Sequence, residues 1–97
     1  MLVEKKLEGD KLTVKINEAI NTTTAPLLAS EINLESVNEL LFDLSGVNYV
    51  SSAGLRVFLN CQKILTGRGG RMLITGANEA VMNIFKITGF VKIIKFV

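Results

Sequence analysis

The run Leu41-Phe-Asp-Leu-Ser-Gly-Val-Asn-Tyr-Val-Ser-Ser-Ala-Gly-Leu-Arg-Val-Phe-Leu59 constrains this chain more than any other stretch. Apolar Leu40, Leu41 and Phe42 run into Asp43 and are then broken by Ser45, Gly46 and Asn48, which reads as a buried strand ending in a loop. After Ser51-Ser52 the apolar residues return at helical spacing. Leu55, Phe58 and Leu59 make one stripe, and Val57, Cys61 and Ile64 make an adjoining one. Two hydroxyls therefore stand at the mouth of an amphipathic helix, where free backbone N–H groups point outward and the dipole favours negative charge. A phosphate carried there burdens the fold little, so the serines are a candidate switch.

The rest of the chain supplies partners for that strand and helix. Leu12, Val14 and Ile16 alternate with Lys11, Thr13 and Lys15, the pattern of a strand with one buried face. Gly9-Asp10 is a turn signal between this run and Leu2, Val3 and Leu7, which predicts an N-terminal hairpin. Asn21-Thr22-Thr23-Thr24 offers helix caps ahead of Ala25-Pro26, and Leu27, Leu28 and Ile32 are read as the apolar face of a short helix. Strands are predicted over Glu39–Asp43, Arg71–Thr75 and Val91–Phe96. A helix from about Asn78 to Thr88-Gly89 turns Val81, Ile84 and Phe85 inward. The predicted order is β-β-α-β-α-β-α-β: an α/β domain spanning residues 1–97, with about five strands in a mixed sheet and helices packed on it through right-handed crossovers.

Composition narrows the function. With 97 residues and 48% hydrophobic content, the chain can bury a core without a metal or disulfide staple. The lone Cys61 cannot form an internal disulfide, and no signal peptide pattern opens the chain, which points to a reducing cytoplasm. No apolar run approaches the roughly 20 residues of a membrane span. The net charge of +2 comes from scattered basic residues without stacking aromatics, so direct nucleic-acid binding is not expected. The chain contains no His, and no Ser-x-x-Lys begins at either serine, which leaves a serine hydrolase without an activating base. Gly67-Arg-Gly-Gly70 follows a helix and precedes a strand, the reverse of a P-loop, and is read as a turn. No cofactor is expected.

Asp43-Leu-Ser followed by Val50-Ser-Ser-Ala-Gly-Leu-Arg56 resembles the signature of STAS-domain anti-sigma-factor antagonists. The likeness continues upstream through Ile20-Asn-Thr-Thr-Thr-Ala-Pro-Leu-Leu28 and downstream through Arg71-Met-Leu-Ile-Thr75 and Phe85-Lys-Ile-Thr-Gly-Phe90. It implies a cytoplasmic bacterial regulator that binds an anti-sigma factor with serine kinase activity and so releases a sigma factor. Phosphorylation ends the binding, and a serine phosphatase restores it. The family places the phosphate on the serine after an Asp; here Ser51 holds the Asp position and Ser52 the acceptor position, with Ser51 a weaker second candidate. The resemblance makes Asn21, Thr22, Asp43, Ser45, Ser51, Ala53, Gly54 and Arg56 partner-binding candidates. It implies a monomer or weak dimer. Family members commonly carry a further C-terminal helix, whose absence here predicts one thinly covered sheet face. An alternative role is a non-catalytic STAS subunit of a lipid-transport complex or a stress-signalling particle.

Several of these residues carry two readings. Ser51 and Ser52 are either helix caps or acceptors. Asp43 either makes a polar contact near Ser52 or caps the following turn with Ser45. Asn21 replaces the family's Asp and hydrogen-bonds without its charge. Gly54 admits a close approach by a partner or by the sheet. Arg56 is cationic near a helix N-terminus, where the dipole disfavours it, which hints at a use.

Overall fold

The computed structural model describes residues 2–97. Among them, five strands form one sheet: β1 (Val3–Glu8), β2 (Lys11–Ile16), β3 (Glu39–Asp43), β4 (Arg71–Thr75) and β5 (Lys95–Phe96). The connections hold helices α1 (Thr24–Glu31), α2 (Ser52–Gly67) and α3 (Glu79–Ile87), in the expected order along the chain. The β1–β2 pair is antiparallel and each later pair is parallel.

Strand order in space follows strand order in the chain, so every crossover steps the same way across the sheet. Right-handed crossovers that all step one way put all their helices on one face. Burial agrees with this. Leu12, Leu40 and Met72 make one buried row across the sheet, and Val14, Phe42 and Ile74 make the next. Phe58 of α2 meets Phe42 edge-on at 4.9 Å between ring centroids, and Phe85 of α3 lies 5.9 Å from Phe58 and 5.0 Å from Phe96. This file of aromatic rings joins two helices to the covered face.

The other face carries the half-exposed residues Thr13, Lys15, Leu41, Asp43 and Leu73. It lies opposite the face on which the strand order places the described helices. At its edge Glu39 accepts from Arg71 Nε at 2.6 Å and pairs with Lys11 at 3.2 Å; the Arg71 guanidinium holds the Glu39 carboxyl below its usual range. No helix among the described residues is long and apolar enough to cross a membrane.

Three local expectations are corrected. The strand expected over Val91–Phe96 shrinks to Lys95–Phe96, because Gly89 takes a φ of 79° and Phe90 folds back, its ring 6.0 Å from that of Phe85. Ile94 N–H then donates to the Phe90 carbonyl at 2.9 Å, and the resulting 3-10 turn (Phe90–Lys92) leaves Val91 and Ile93 exposed. In α1 the buried pair is Ala25 and Leu28, three residues apart, and Leu27 points to solvent. In α2 the buried stripe is Leu55, Phe58, Cys61 and Leu65, which leaves Ile64 exposed and Leu59 only half-buried. Each correction comes from packing, which in α1 and α2 chooses one helical stripe where the sequence offers two.

Candidate functional site

The candidate residues gather at the C-terminal ends of the parallel strands, where the loops of an α/β sheet converge. Beyond β2 and β3 the two chain segments stay together through a parallel bridge between Ile20 and Val50. Ile20 N–H donates to the Tyr49 carbonyl at 2.9 Å, and Ser51 N–H donates to the Ile20 carbonyl at 2.8 Å. The bridge sets the starts of α1 and α2 side by side, which brings Asn21 and Thr22 next to Ser51 and Ser52. Gly54 permits this closeness: a Cβ there would stand 2.6 Å from Ile20 Cγ2 and 3.0 Å from Val50 Cγ1. The close approach at Gly54 is thus made by this bridge.

The two helix starts differ in how their backbone donors are met. At α1, Asn21 Oδ1 accepts from Thr23 N–H and Thr24 N–H, both at 2.9 Å, and the Asn21 carbonyl accepts from Ala25 N–H. Thr24 Oγ1 accepts from Asn21 N–H at 2.8 Å and donates to the Ala19 carbonyl at 2.9 Å. Pro26 has no N–H to satisfy. The mouth of α1 is closed by its own side chains.

At α2, Ser51 is the cap. It is extended (φ −81°, ψ 171°) and buried, and its Oγ accepts from Gly54 N–H at 3.1 Å. Its hydroxyl is committed to the helix. Ser52 begins the helix with its side chain exposed, and the N–H groups of Ser52 and Ala53 find no acceptor among the described residues. The mouth of α2 stays open beside an exposed hydroxyl, which is an arrangement that receives anionic oxygen. Arg56, one turn further on, is exposed and in no ion pair among the described residues.

Asp43 Oδ1 accepts from Ser45 N–H at 2.9 Å, and this bond holds the Asp43 carboxyl below its usual range with a smaller contribution from Lys15. The turn-capping reading of Asp43 is therefore the one with a partner on it, and Ser45 itself is exposed. One surface residue escaped the sequence reading. Tyr49 is 51% exposed two residues before Ser51, an aromatic side chain at the rim of the site. Its signal was an aromatic in a loop between apolar Val47 and Val50, both of which are buried. Burial pushes the Cys61 thiol up to about 11, so it is no nucleophile at neutral pH. Among the described residues no group of three acidic, His or Cys side chains is placed to hold a metal.

A family profile described as STAS domain matches residues 3–97, nearly the full length of the chain. The chain belongs to the STAS-domain family. It is 30% identical over 94 residues to the anti-sigma-B factor antagonist of Listeria monocytogenes, covering 94% of this chain and 82% of that protein. The anti-sigma-B factor antagonist of Bacillus subtilis is also 30% identical over 94 residues, covering 95% of this chain and 86% of the relative. Among solved structures, the anti-sigma factor antagonist SpoIIAA in its unphosphorylated form superposes with a TM-score of 0.85 at 11% identity, over 99% of this chain and 88% of that one. That likeness establishes the shared STAS fold.

Proposed function

We propose that this STAS protein is an anti-sigma-factor antagonist whose binding is switched off by phosphorylation of Ser52. Its Listeria and Bacillus relatives of 30% identity bear the name anti-sigma-B factor antagonist. The observation that carries the switch is the open mouth of α2: an exposed Ser52 hydroxyl beside two unclaimed backbone N–H groups. Ser51, buried and bonded to Gly54, is a poor acceptor for the same reason that it is a good cap.

In this reading the chain performs no chemistry. It binds an anti-sigma factor that is also a serine kinase, and the kinase supplies the ATP and the phosphoryl transfer. A phosphoserine carries about −1.5 to −2 charges at neutral pH. On the free protein that charge meets the positive end of α2 and its open N–H groups, so the fold tolerates it. In the complex the same group is pressed against a surface shaped for a neutral hydroxyl. Desolvation there costs several kcal/mol, and about 1.4 kcal/mol is already tenfold in affinity. A serine phosphatase resets the switch.

Incubation with the cognate kinase and ATP is expected to add one phosphate, mapped to Ser52 by mass spectrometry. Ser52→Ala is expected to bind the kinase and take no label. Stoichiometric labelling of Ser52→Ala would remove Ser52 from this role. A wild-type chain that is never labelled would fit the alternative role, a subunit of a larger STAS assembly.

A further inference from the structure

A groove runs between α1 and α2, beginning at the candidate switch. Its near end is lined by Ala25, Pro26, Ala53 and Arg56, and its far end by Ile32, Leu34, Cys61 and Ile64. Ala29, Val57 and Asn60 line both ends, so hollows of about 200 and 230 Å³ make one channel. The channel exists because α1 turns only small side chains, Ala25, Pro26 and Ala29, toward α2. On α2 the residues at 53, 57, 60 and 64 follow helical spacing and form a single wall.

The charge around this groove is one-sided. The only charged residues of α2 are Arg56 and Lys63, seven apart and therefore on the same rim, and neither is in an ion pair among the described residues. The only charged residue of α1 is Glu31, and Lys5 Nζ holds it at 3.0 Å while also donating to its carbonyl at 3.1 Å. An occupant that complements the groove presents apolar side chains to the channel and carboxylates to the Arg56–Lys63 rim. An amphipathic helix meets both demands at once.

We propose that the groove between α1 and α2 seats an acidic amphipathic helix of the anti-sigma factor, and that phosphate on Ser52 expels it by claiming Arg56. The proposal rests on the phosphorylation reading above and supplies its mechanism. Ser52 and Arg56 are four residues apart, hence neighbours on one helix face. A phosphate on Ser52 stands within reach of the guanidinium, which forms strong charge-assisted bonds with phosphate oxygens. The added charge of about −1.5 to −2 exceeds the single positive charge of Arg56. The groove's mouth turns from positive to negative, and the carboxylates it attracted are repelled.

The test uses the purified kinase that labels Ser52, loaded with ADP, as the calorimetric probe. Ala29→Phe fills the channel from an exposed position and is expected to weaken binding at least tenfold, with the melting temperature unchanged. Asn60→Trp on the facing wall takes its place if Ala29→Phe alters folding. Arg56→Glu is expected to weaken binding at least tenfold, and Arg56→Lys to retain most of it at low salt. Phosphoserine installed at position 52 tests the capture of Arg56 without any partner. Its second ionisation, near 6 for a free phosphoserine, should lie lower by ³¹P titration in the wild-type background than in Arg56→Gln. Groove-filling and Arg56→Glu variants that bind like wild type would overturn the groove while leaving Ser52 labelling, and with it the switch, intact. A phosphate whose titration ignores Arg56 would overturn the capture step. Failure of the wild-type protein to bind or be labelled would overturn the switch and the groove's occupant together.

Discussion

The starts of α1 and α2 lie side by side, tied by one backbone bridge, and solve the same problem in opposite ways. Both helices open on a cluster of small polar residues, Asn-Thr-Thr-Thr in one and Ser-Ser in the other. At α1 the polar side chains turn inward on the backbone: the Asn21 amide oxygen takes two N–H donors, and Thr24 bonds on both sides. At α2 one serine does the capping and the other is left exposed, with open N–H groups beside it. Thr22 and Thr23 are also exposed hydroxyl residues at a helix start, yet the N–H groups of Thr23 and Thr24 there are already taken by Asn21. What separates the proposed switch serine from these threonines is the unclaimed backbone donors beside it, not its exposure.

That contrast can be broken most forcefully from below. Phe58 is fully buried under α2, packed against Phe42 and Phe85, and it holds the open mouth in place. Phe58→Ala is expected to destabilise by about 3–5 kcal/mol, a large share of the roughly 5–15 kcal/mol a domain possesses. An unchanged melting temperature would mean that α2 buries a different stripe.

The bridge between the mouths is tested by Gly54→Ala. In an exposed helix this change would stabilise by about 1 kcal/mol. Here the added methyl meets Ile20 and Val50, and overpacking should destabilise by about 1–3 kcal/mol instead. The sign of the change in denaturant midpoint decides whether the two helix starts are pressed together.

The contrast itself is sharpened by a pair of small effects. Asn21→Ala removes the side chain that closes α1 and should cost about 0.5–2 kcal/mol. Ser52→Ala removes an exposed hydroxyl with no acceptor of its own and should stay within about 0.5 kcal/mol of wild type. Chemical denaturation of both variants measures the gap. Equal losses would show that Ser52 also serves the fold and is not free for a switch.

Much of this was legible before any coordinates. The alternation in Lys11–Ile16, the apolar run into Asp43 and the capping Asn78 each declare themselves locally, and the structure bears them out, with Asn78 Oδ1 accepting from Val81 N–H at 2.9 Å. What failed was the choice among apolar residues at element ends. Val91 and Ile93 have the composition of a strand, but packing of the half-buried Phe90 against Phe85 wound that segment into a turn. Leu27 and Leu28 are equally apolar neighbours, and only the direction of α1 relative to the sheet exposed one and buried the other.

The amino-acid sequence by itself determined the order of elements, the hydroxyls at the mouth of α2 and the lack of any histidine, because periodicity, turn chemistry and residue inventory are local properties. Only the tertiary structure decided which hydroxyl is free. Ser51 and Ser52 are the same residue type in adjacent positions. Their difference arises because the Ile20–Val50 bridge holds Ser51 extended and buried, aimed at Gly54 N–H, while the first helical turn carries Ser52 out to solvent. Ile20 lies 30 positions away from Val50 in the chain, so no local pattern contains that contact; it forms because β2 and β3 pair in parallel and carry their following segments to the same edge.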